Sequence, residues 1–283
     1  MKVGIIGLGL MGASFARTLK KAGGHEVYGF DKSDDVMRKA DLIGMLDGTL
    51  TPDNAGDIDM IIVALYPRDF KAVISPYLPR LKAGAIVTDF CGTKRLVISQ
   101  MREFQKEYPD LFFVGGHPMA GREFSGIEHS ITNLFDRASM IIVPVTEDIA
   151  KLDALKKFYL SLGFGEVMVC SADRHDGMIA FTSQLCHIVS NAYVKNKRAE
   201  VHDGFSAGSY RDLTRVARLN SKMWSELMID NRDFLSDELG EIIGHLSEYK
   251  QALDNGDEAR LASLLEDGNR RKLDIDVKGG SRR

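Results

Sequence analysis

An α/β domain built on a doubly wound parallel sheet, followed by an all-helical domain, is the fold class this sequence predicts. Three observations carry that expectation. The chain opens with a strand, a glycine-rich turn, a helix and a second strand that ends on an acid. Short Val- and Ile-rich runs then alternate with helical patterns, as they do when parallel strands are covered on both faces. Near Cys170 the strand-like runs stop, and helical patterns continue towards the C-terminus.

The opening unit is the most specific. Val3–Ile6 leads directly into Gly7-Leu8-Gly9-Leu10-Met11-Gly12, a helical stretch follows from Ala13 to Lys21, and Val27–Phe30 ends at Asp31. Gly7 permits a tight turn, Gly9 lets backbone approach a pyrophosphate, and Gly12 lets helix and strand pack closely. The helix start offers unpaired N–H groups to phosphate. Asp31, nineteen residues after Gly12, is placed to accept the adenine-ribose hydroxyls and to repel a 2′-phosphate. A Rossmann dinucleotide site is expected, with NAD favoured over NADP.

Further strands are expected at Met60–Leu65, Ala85–Thr88, Phe112–Gly115, Ser139–Pro144 and, at the sheet edge, Glu166–Val169, with a helix over Lys151–Leu162. Asp173 reads as the N-cap of one long helix, Arg174–Lys197. Helices at Tyr210–Leu219, Ser221–Asp230, Arg232–Asp254 and Asp257–Arg271 complete the helical half. The expected division is a nucleotide-binding domain over 1–170, a helical substrate-binding and dimerisation domain over 171–275, and a disordered tail over 276–283. Five helices make a modest core, so docking on a second copy of the chain is expected.

Composition narrows the function classes. The 283 residues are 44% hydrophobic and 27% charged, with a formal net charge of −3. That balance gives no pull towards nucleic acid or an anionic membrane. No apolar stretch reaches the roughly 18 residues of a membrane span. A core strand starts within two residues of Met1, which leaves no room for a signal peptide and predicts a cytoplasmic protein. Cys91, Cys170 and Cys186 have no metal-ligand spacing, so free thiols and no metal are expected.

Three loops at the carboxyl edge of the sheet carry candidate chemistry. Leu65 and Tyr66 are placed to run along a cofactor. Thr93 and Lys94 offer a hydroxyl and a positive charge. In Gly115–Gly121, two glycines bring backbone near a ligand beside His117, and Pro118 fixes the exit of the chain. An imidazole with a reference pKa near 6.5 can take a proton from a hydroxyl while hydride leaves the same carbon, so His117 is the expected general base. In the helical half, Gln184, His187 and Asn191 are spaced to share one helix face. Arg211 and Arg215, four apart, are spaced to grip a carboxylate; a solvated Arg–Asp network is the competing reading.

Assembled in this order, these motifs resemble the prephenate/arogenate dehydrogenase family from about Lys2 to Lys272. Gly7–Gly12 with Ser14 resembles its cofactor motif, and Gly116–Gly121 with Glu123 and Gly126 its catalytic loop. His175-Asp176, Ser183–His187, Arg211–Ala217, Met223-Trp224 and Asn231 resemble its helical-domain motifs. The resemblance implies NAD-dependent oxidative decarboxylation of prephenate to 4-hydroxyphenylpyruvate in tyrosine biosynthesis. It makes His117 the base, Arg215 the substrate-carboxylate arginine and His187 a second substrate-site histidine. Three positions depart from the family pattern: Gly92 stands at a usual serine, leaving Thr93, Cys91 or a water to supply that contact, Gln184 at a histidine, and Arg122 at a serine.

An arogenate-specific or dual-specificity cyclohexadienyl dehydrogenase is the nearest rival. A β-hydroxyacid or imine reductase would want a lysine on the interdomain helix, where only Lys195 near its far end is offered. A non-catalytic NAD-binding protein is the rival from another class.

Overall fold

The computed structural model describes residues 1–122 and 124–280. Glu123 and residues 281–283, which the sequence reading placed in the catalytic-loop motif and the tail, lie outside the described residues. By spatial contact the chain forms two compact units, residues 1–232 and 233–283.

The first unit is an eight-stranded sheet. Its strands are β1 Lys2–Ile6, β2 Glu26–Phe30, β3 Gly48–Thr49, β4 Met60–Val63, β5 Ile86–Asp89, β6 Phe112–Pro118, β7 Ser139–Pro144 and β8 Glu166–Val169. They lie in the order β3-β2-β1-β4-β5-β6-β7-β8, all parallel except the β6–β7 pair. The chain leaves β1 towards β2 and returns on its other side as β4, so the switch point lies where β1 and β4 end.

Helices α1 (Leu10–Ala22), α2 (Asp34–Leu42), α3 (Phe70–Ile74), α4 (Arg95–Glu107) and α5 (Ile149–Ser161) accompany the strands. Alternate strand residues enter two separate cores. Val3 and Ile5, Met60 and Ile62, and Phe112 and Val114 pack on one face with Phe15, Leu19 and Tyr159. Ile6, Ile61 and Val63, and Phe113 pack on the other with Val97, Ile98 and Met101. Burial on both sides is why the strands read as continuous apolar runs.

After β8 the same unit holds α6 (Ala172–Ile179), a π-helical segment Ala180–Leu185, α7 (Cys186–Tyr193), α8 (Gly208–Thr214) and α9 (Ser221–Asp230). Two expectations are corrected here. Ser171, not Asp173, caps the first helix: its hydroxyl accepts from the Arg174 N–H. The expected single helix runs without interruption from Ala172 to Tyr193, but it contains the π segment, whose extra residue per turn shifts the face that later side chains present.

The second unit contains most of α10 (Arg232–Asp254) and all of α11 (Glu258–Gly280). Within it the Tyr249 hydroxyl donates to the Leu264 carbonyl at 3.2 Å, and Arg260 pairs with Glu248 at 3.1 Å. Because α11 continues to Gly280, residues 276–280 are helical where the sequence reading expects a tail. Among the described residues no helix is long and apolar enough to cross a membrane.

Candidate active site

At the switch point the glycine turn has the shape its residues predict. Gly7 holds φ +92°, and a Cβ there would meet the Ala64 carbonyl and the Leu65 side chain, each at 2.6 Å. A Cβ on Gly12 would lie 1.9 Å from the Gly7 carbonyl, so α1 can start this close to β1 only with glycine. A Cβ on Gly9 would meet nothing within 4 Å. No side chain caps α1 and no acid stands in its first turn, so the N–H groups at the helix start have no capping side chain. That arrangement suits a pyrophosphate. Asp31 stands beside it, accepting from the Leu8 N–H and the Ser33 N–H at 2.9 Å each. These two bonds leave each carboxylate oxygen a further lone pair for ribose hydroxyls. Leu65 lines the turn through its Gly7 contact, and Tyr66 is exposed beside it.

One strand over, β5 ends in Asp89, which is fully buried with Lys94. The Lys94 ammonium bonds the Asp89 carboxylate and the Gly116 carbonyl, the latter at 2.7 Å. The Cys91 N–H and Gly116 N–H also donate to Asp89, at 2.8 and 3.2 Å. Lys94 is therefore internal, contrary to the expectation that it offers its charge to a ligand. The role expected of Gly115 and Gly116 also changes. A Cβ on Gly115 would lie 3.2 Å from the Lys94 side chain, and one on Gly116 would lie 2.6 Å from the Asp89 carbonyl. These glycines make room for the buried ion pair. Cys91 is sealed as well, its thiol directed to the Leu65 carbonyl and pushed well up in pKa by burial and by Asp89. The Thr93 hydroxyl is buried without a hydrogen-bond partner among the described residues.

His117 lies inside β6, opposite Ile141 of β7, rather than in a loop past the strand end. Its Nδ1 is 2.8 Å from Nε2 of His175, the two rings tilted by 53°. Nδ1 of His175 is in turn 2.7 Å from Oδ1 of Asp176. Asp176 also receives the Lys94 N–H at 2.7 Å and the Arg95 N–H at 2.9 Å, so this carboxylate docks α6 against the start of α4. Dense packing, then the neighbouring His175 and Lys94, hold the His117 pKa well below its usual value. Burial lowers His175 too, although Asp176 opposes it. Burial disfavours charge on Asp176, but the bonds from His175, Arg95 and Lys94 outweigh it and hold the carboxyl below its ordinary range.

The remaining predicted residues separate into two groups. Gln184 is buried; its amide N–H donates to the Leu227 carbonyl at 3.1 Å and its oxygen accepts from Asn231 at 2.8 Å. Asn231 also donates to the Asp176 carbonyl at 2.9 Å and accepts from Arg95 at 3.0 Å. His187 points elsewhere: its Nδ1 is 2.9 Å from the Val216 carbonyl, and its ring centroid is 3.9 Å from that of Trp224. Asn191 donates to the next carbonyl, Ala217, at 3.1 Å. The expected common face of Gln184, His187 and Asn191 is thus divided: Gln184 lies within the π segment, and His187 and Asn191 lie on α7 after it. Arg211 is exposed on α8 and Arg215 is exposed just past its end, one residue before the carbonyl that holds His187.

In the sequence His175, Asp176 and Asn231 stand out only as members of the helical-domain motifs, with no role attached. The signal available was an adjacent His-Asp pair one turn into the helix that follows the last strand. Among the described residues no cluster of His, Cys, Asp and Glu could hold a metal ion.

Comparison with known proteins places this architecture. Residues 15–167 match the family model of the prephenate dehydrogenase nucleotide-binding domain, and residues 171–267 that of the prephenate dehydrogenase dimerization domain. A cyclohexadienyl dehydrogenase of Zymomonas mobilis is 28% identical over 96% of this chain and 94% of its own length. The crystal structure of an A. aeolicus prephenate dehydrogenase, in complex with hydroxyphenyl propionate and NAD+, is 27% identical with a TM-score of 0.82, covering 98% of each chain. That of Synechocystis arogenate dehydrogenase is 26% identical with a TM-score of 0.79, covering 96% of this chain and all of that one. The two family models between them span most of the sequence, and the chain belongs to the prephenate dehydrogenase family.

Proposed function

We propose that this chain is an NAD-dependent prephenate dehydrogenase, oxidising and decarboxylating prephenate to 4-hydroxyphenylpyruvate. Family membership joined to one observation carries this reading: His117 stands on the strand beside the buried Asp89–Lys94 pair with Nδ1 engaged by His175, so Nε2 remains to act.

The uncapped start of α1, the open side of Gly9 and the Asp31 carboxylate suit the pyrophosphate and adenine ribose of NAD. NAD, when bound, supplies the hydride acceptor. His117 Nε2 accepts the hydrogen bond of the ring hydroxyl and draws off its proton as the hydrogen on the same carbon departs with its electron pair. Loss of carbon dioxide returns the electron pair of the broken C–C bond to the ring, which becomes aromatic. The phenolic oxygen then takes its proton back from His117, so the base is regenerated within the turnover. Release of carbon dioxide and aromatisation drive the reaction forward, leaving the protein chiefly to orient and hold its substrate.

Arg215 and Arg211 are assigned to the substrate carboxylates, His187 to a contact through Nε2, and Thr93 to one through its hydroxyl, which has no partner among the described residues. Gln184 is assigned to holding α9 through Leu227 and Asn231 in place of direct substrate contact. We assign residues 1–170 to nucleotide binding and 171–275 to the substrate and to a homodimer. The exposed Ile243, Leu246, Leu253 and Leu265, each more than half accessible, supply apolar surface for the dimer.

The test is an NADH-formation assay with prephenate and arogenate side by side. The proposal expects the larger kcat/KM with prephenate. A larger value with arogenate would move the enzyme to the arogenate-specific branch, and no NADH with either substrate would overturn the dehydrogenase reading.

A further inference from the structure

The chain of contacts behind His117 has a direction. An ionised carboxylate can only accept, so Asp176 Oδ1 requires a proton on Nδ1 of His175. Asp176 is firmly ionised because it takes two backbone N–H groups, from Lys94 and Arg95, as well as the Arg95 guanidinium at 3.3 Å. With Nδ1 protonated, the neutral imidazole of His175 presents Nε2 as an acceptor. The group facing it is His117 Nδ1, at 2.8 Å. That nitrogen must therefore carry the proton, and Nε2 of His117 is left unprotonated. Burial lowers the pKa of both rings and so favours their neutral forms. The other charges in the neighbourhood are matched: Lys94 is tied to Asp89 and the Gly116 carbonyl, and Arg95 to Asp176 and Asn231.

We infer that His175 is a positioning residue, locked by Asp176 with Nε2 as an acceptor, which holds His117 in its Nδ1–H tautomer and so makes Nε2 the base. The inference rests on the proposed role of His117 for its catalytic meaning, but the tautomer exists without substrate. Asp176 therefore serves two purposes, docking α6 on α4 and setting the protonation pattern two rings away. When His117 takes the substrate proton at Nε2, the imidazolium still has His175 Nε2 to accept its Nδ1–H. The positive charge forms inside an existing hydrogen bond.

The test combines a spectroscopic and a kinetic measurement on the full chain. In protein labelled with 15N at its seven histidines, two-bond 15N–1H correlation of the ring nitrogens should report His117 with a protonated Nδ1 and a pyridine-like Nε2. His175→Gln keeps an amide oxygen able to accept from Nδ1–H, whereas His175→Leu keeps none. The Leu variant should lose about 100-fold or more in kcat with KM changed less than about threefold, and its His117 should shift towards the Nε2–H tautomer. The Gln variant should recover at least tenfold of that kcat loss. Wild-type His117 protonated at Nε2 would overturn the inference even if neither variant folds. Equal kcat losses in both variants, with the His117 tautomer unchanged, would overturn it too. A wild-type protein that turns over neither substrate would sink the proposed function, while the spectrum would still decide the tautomer.

Discussion

Replacing Lys94 with Met tests the internal framework of the site. The Lys94 ammonium is fully buried, with two partners: the Asp89 carboxylate and the Gly116 carbonyl. Met matches the length of the stem but donates nothing. The Asp89 charge would then be held in the protein interior by two backbone N–H groups, from Cys91 and Gly116. Removing one partner from a buried pair leaves an uncompensated charge and costs about 3–5 kcal/mol. For a unit of this size that corresponds to a fall of about 6–20 °C in Tm. Urea unfolding followed by far-UV circular dichroism, with m held constant, measures the loss directly. The double variant Lys94→Met with Asp89→Leu removes both charges but orphans the two N–H groups, each at about 1–3 kcal/mol. It should therefore remain well below wild type. A loss under about 1 kcal/mol for Lys94→Met would refute the reasoning, since the amine would then have to reach solvent or another partner.

Four further outcomes follow from the same geometry. His117→Asn should lower kcat by about 10²–10⁴-fold while NAD affinity, read by fluorescence titration, stays within a few-fold; a parallel loss of NAD affinity would refute the assigned role. Asp31→Ser should erode the preference for NAD over NADP in kcat/KM. It should also weaken NAD binding, because the two carboxylate oxygens that accept from the Leu8 and Ser33 N–H groups are replaced by one hydroxyl; unchanged discrimination would refute the ribose assignment. Arg215→Ala should raise KM for prephenate by about tenfold or more with a smaller change in kcat, and an unchanged KM would transfer the carboxylate contact to Arg211. The fourth outcome concerns pH and stability. His117 and His175 have folded pKa values below the reference of 6.5, so the unfolded chain binds more protons as pH falls. Their contribution is complete above that reference value and is lost as pH drops through and below it. Urea midpoints from pH 7 to pH 5 should therefore fall less steeply in His175→Gln than in wild type, and identical slopes would refute the claim that His175 is buried neutral.

Much of the frame was legible in the sequence, for a physical reason. Ser139–Pro144 and Glu166–Val169 are strands with the expected bounds, and the runs Val3–Ile6 and Val27–Phe30 each gain one residue at the start; for β1 and β7, burial against two cores leaves a dense apolar signal between turns. The glycine turn was readable because each of its glycines answers a local steric demand. Where the reading failed, the decisive partner was distant in sequence. Gly115, Gly116 and Pro118 resemble loop residues, yet β6 runs through all three because it pairs there with β7, and the two glycines leave space for Asp89 and Lys94. Lys94 looks like a surface cation until Asp89 is placed against it. The π segment leaves no mark in an apolar helical pattern, so the division of Gln184 from His187 could not be read from spacing. His175-Asp176 acquires meaning only when Lys94 and Arg95, more than 80 residues earlier, are brought to the carboxylate.

The most direct test of the central claim is a crystal structure of the enzyme with NAD and 4-hydroxyphenylpyruvate bound. The account predicts Nε2 of His117 within about 2.6–3.2 Å of the phenolic oxygen, with Nδ1 still on His175. A His117 ring turned away from that oxygen, with another side chain in its place, would contradict it.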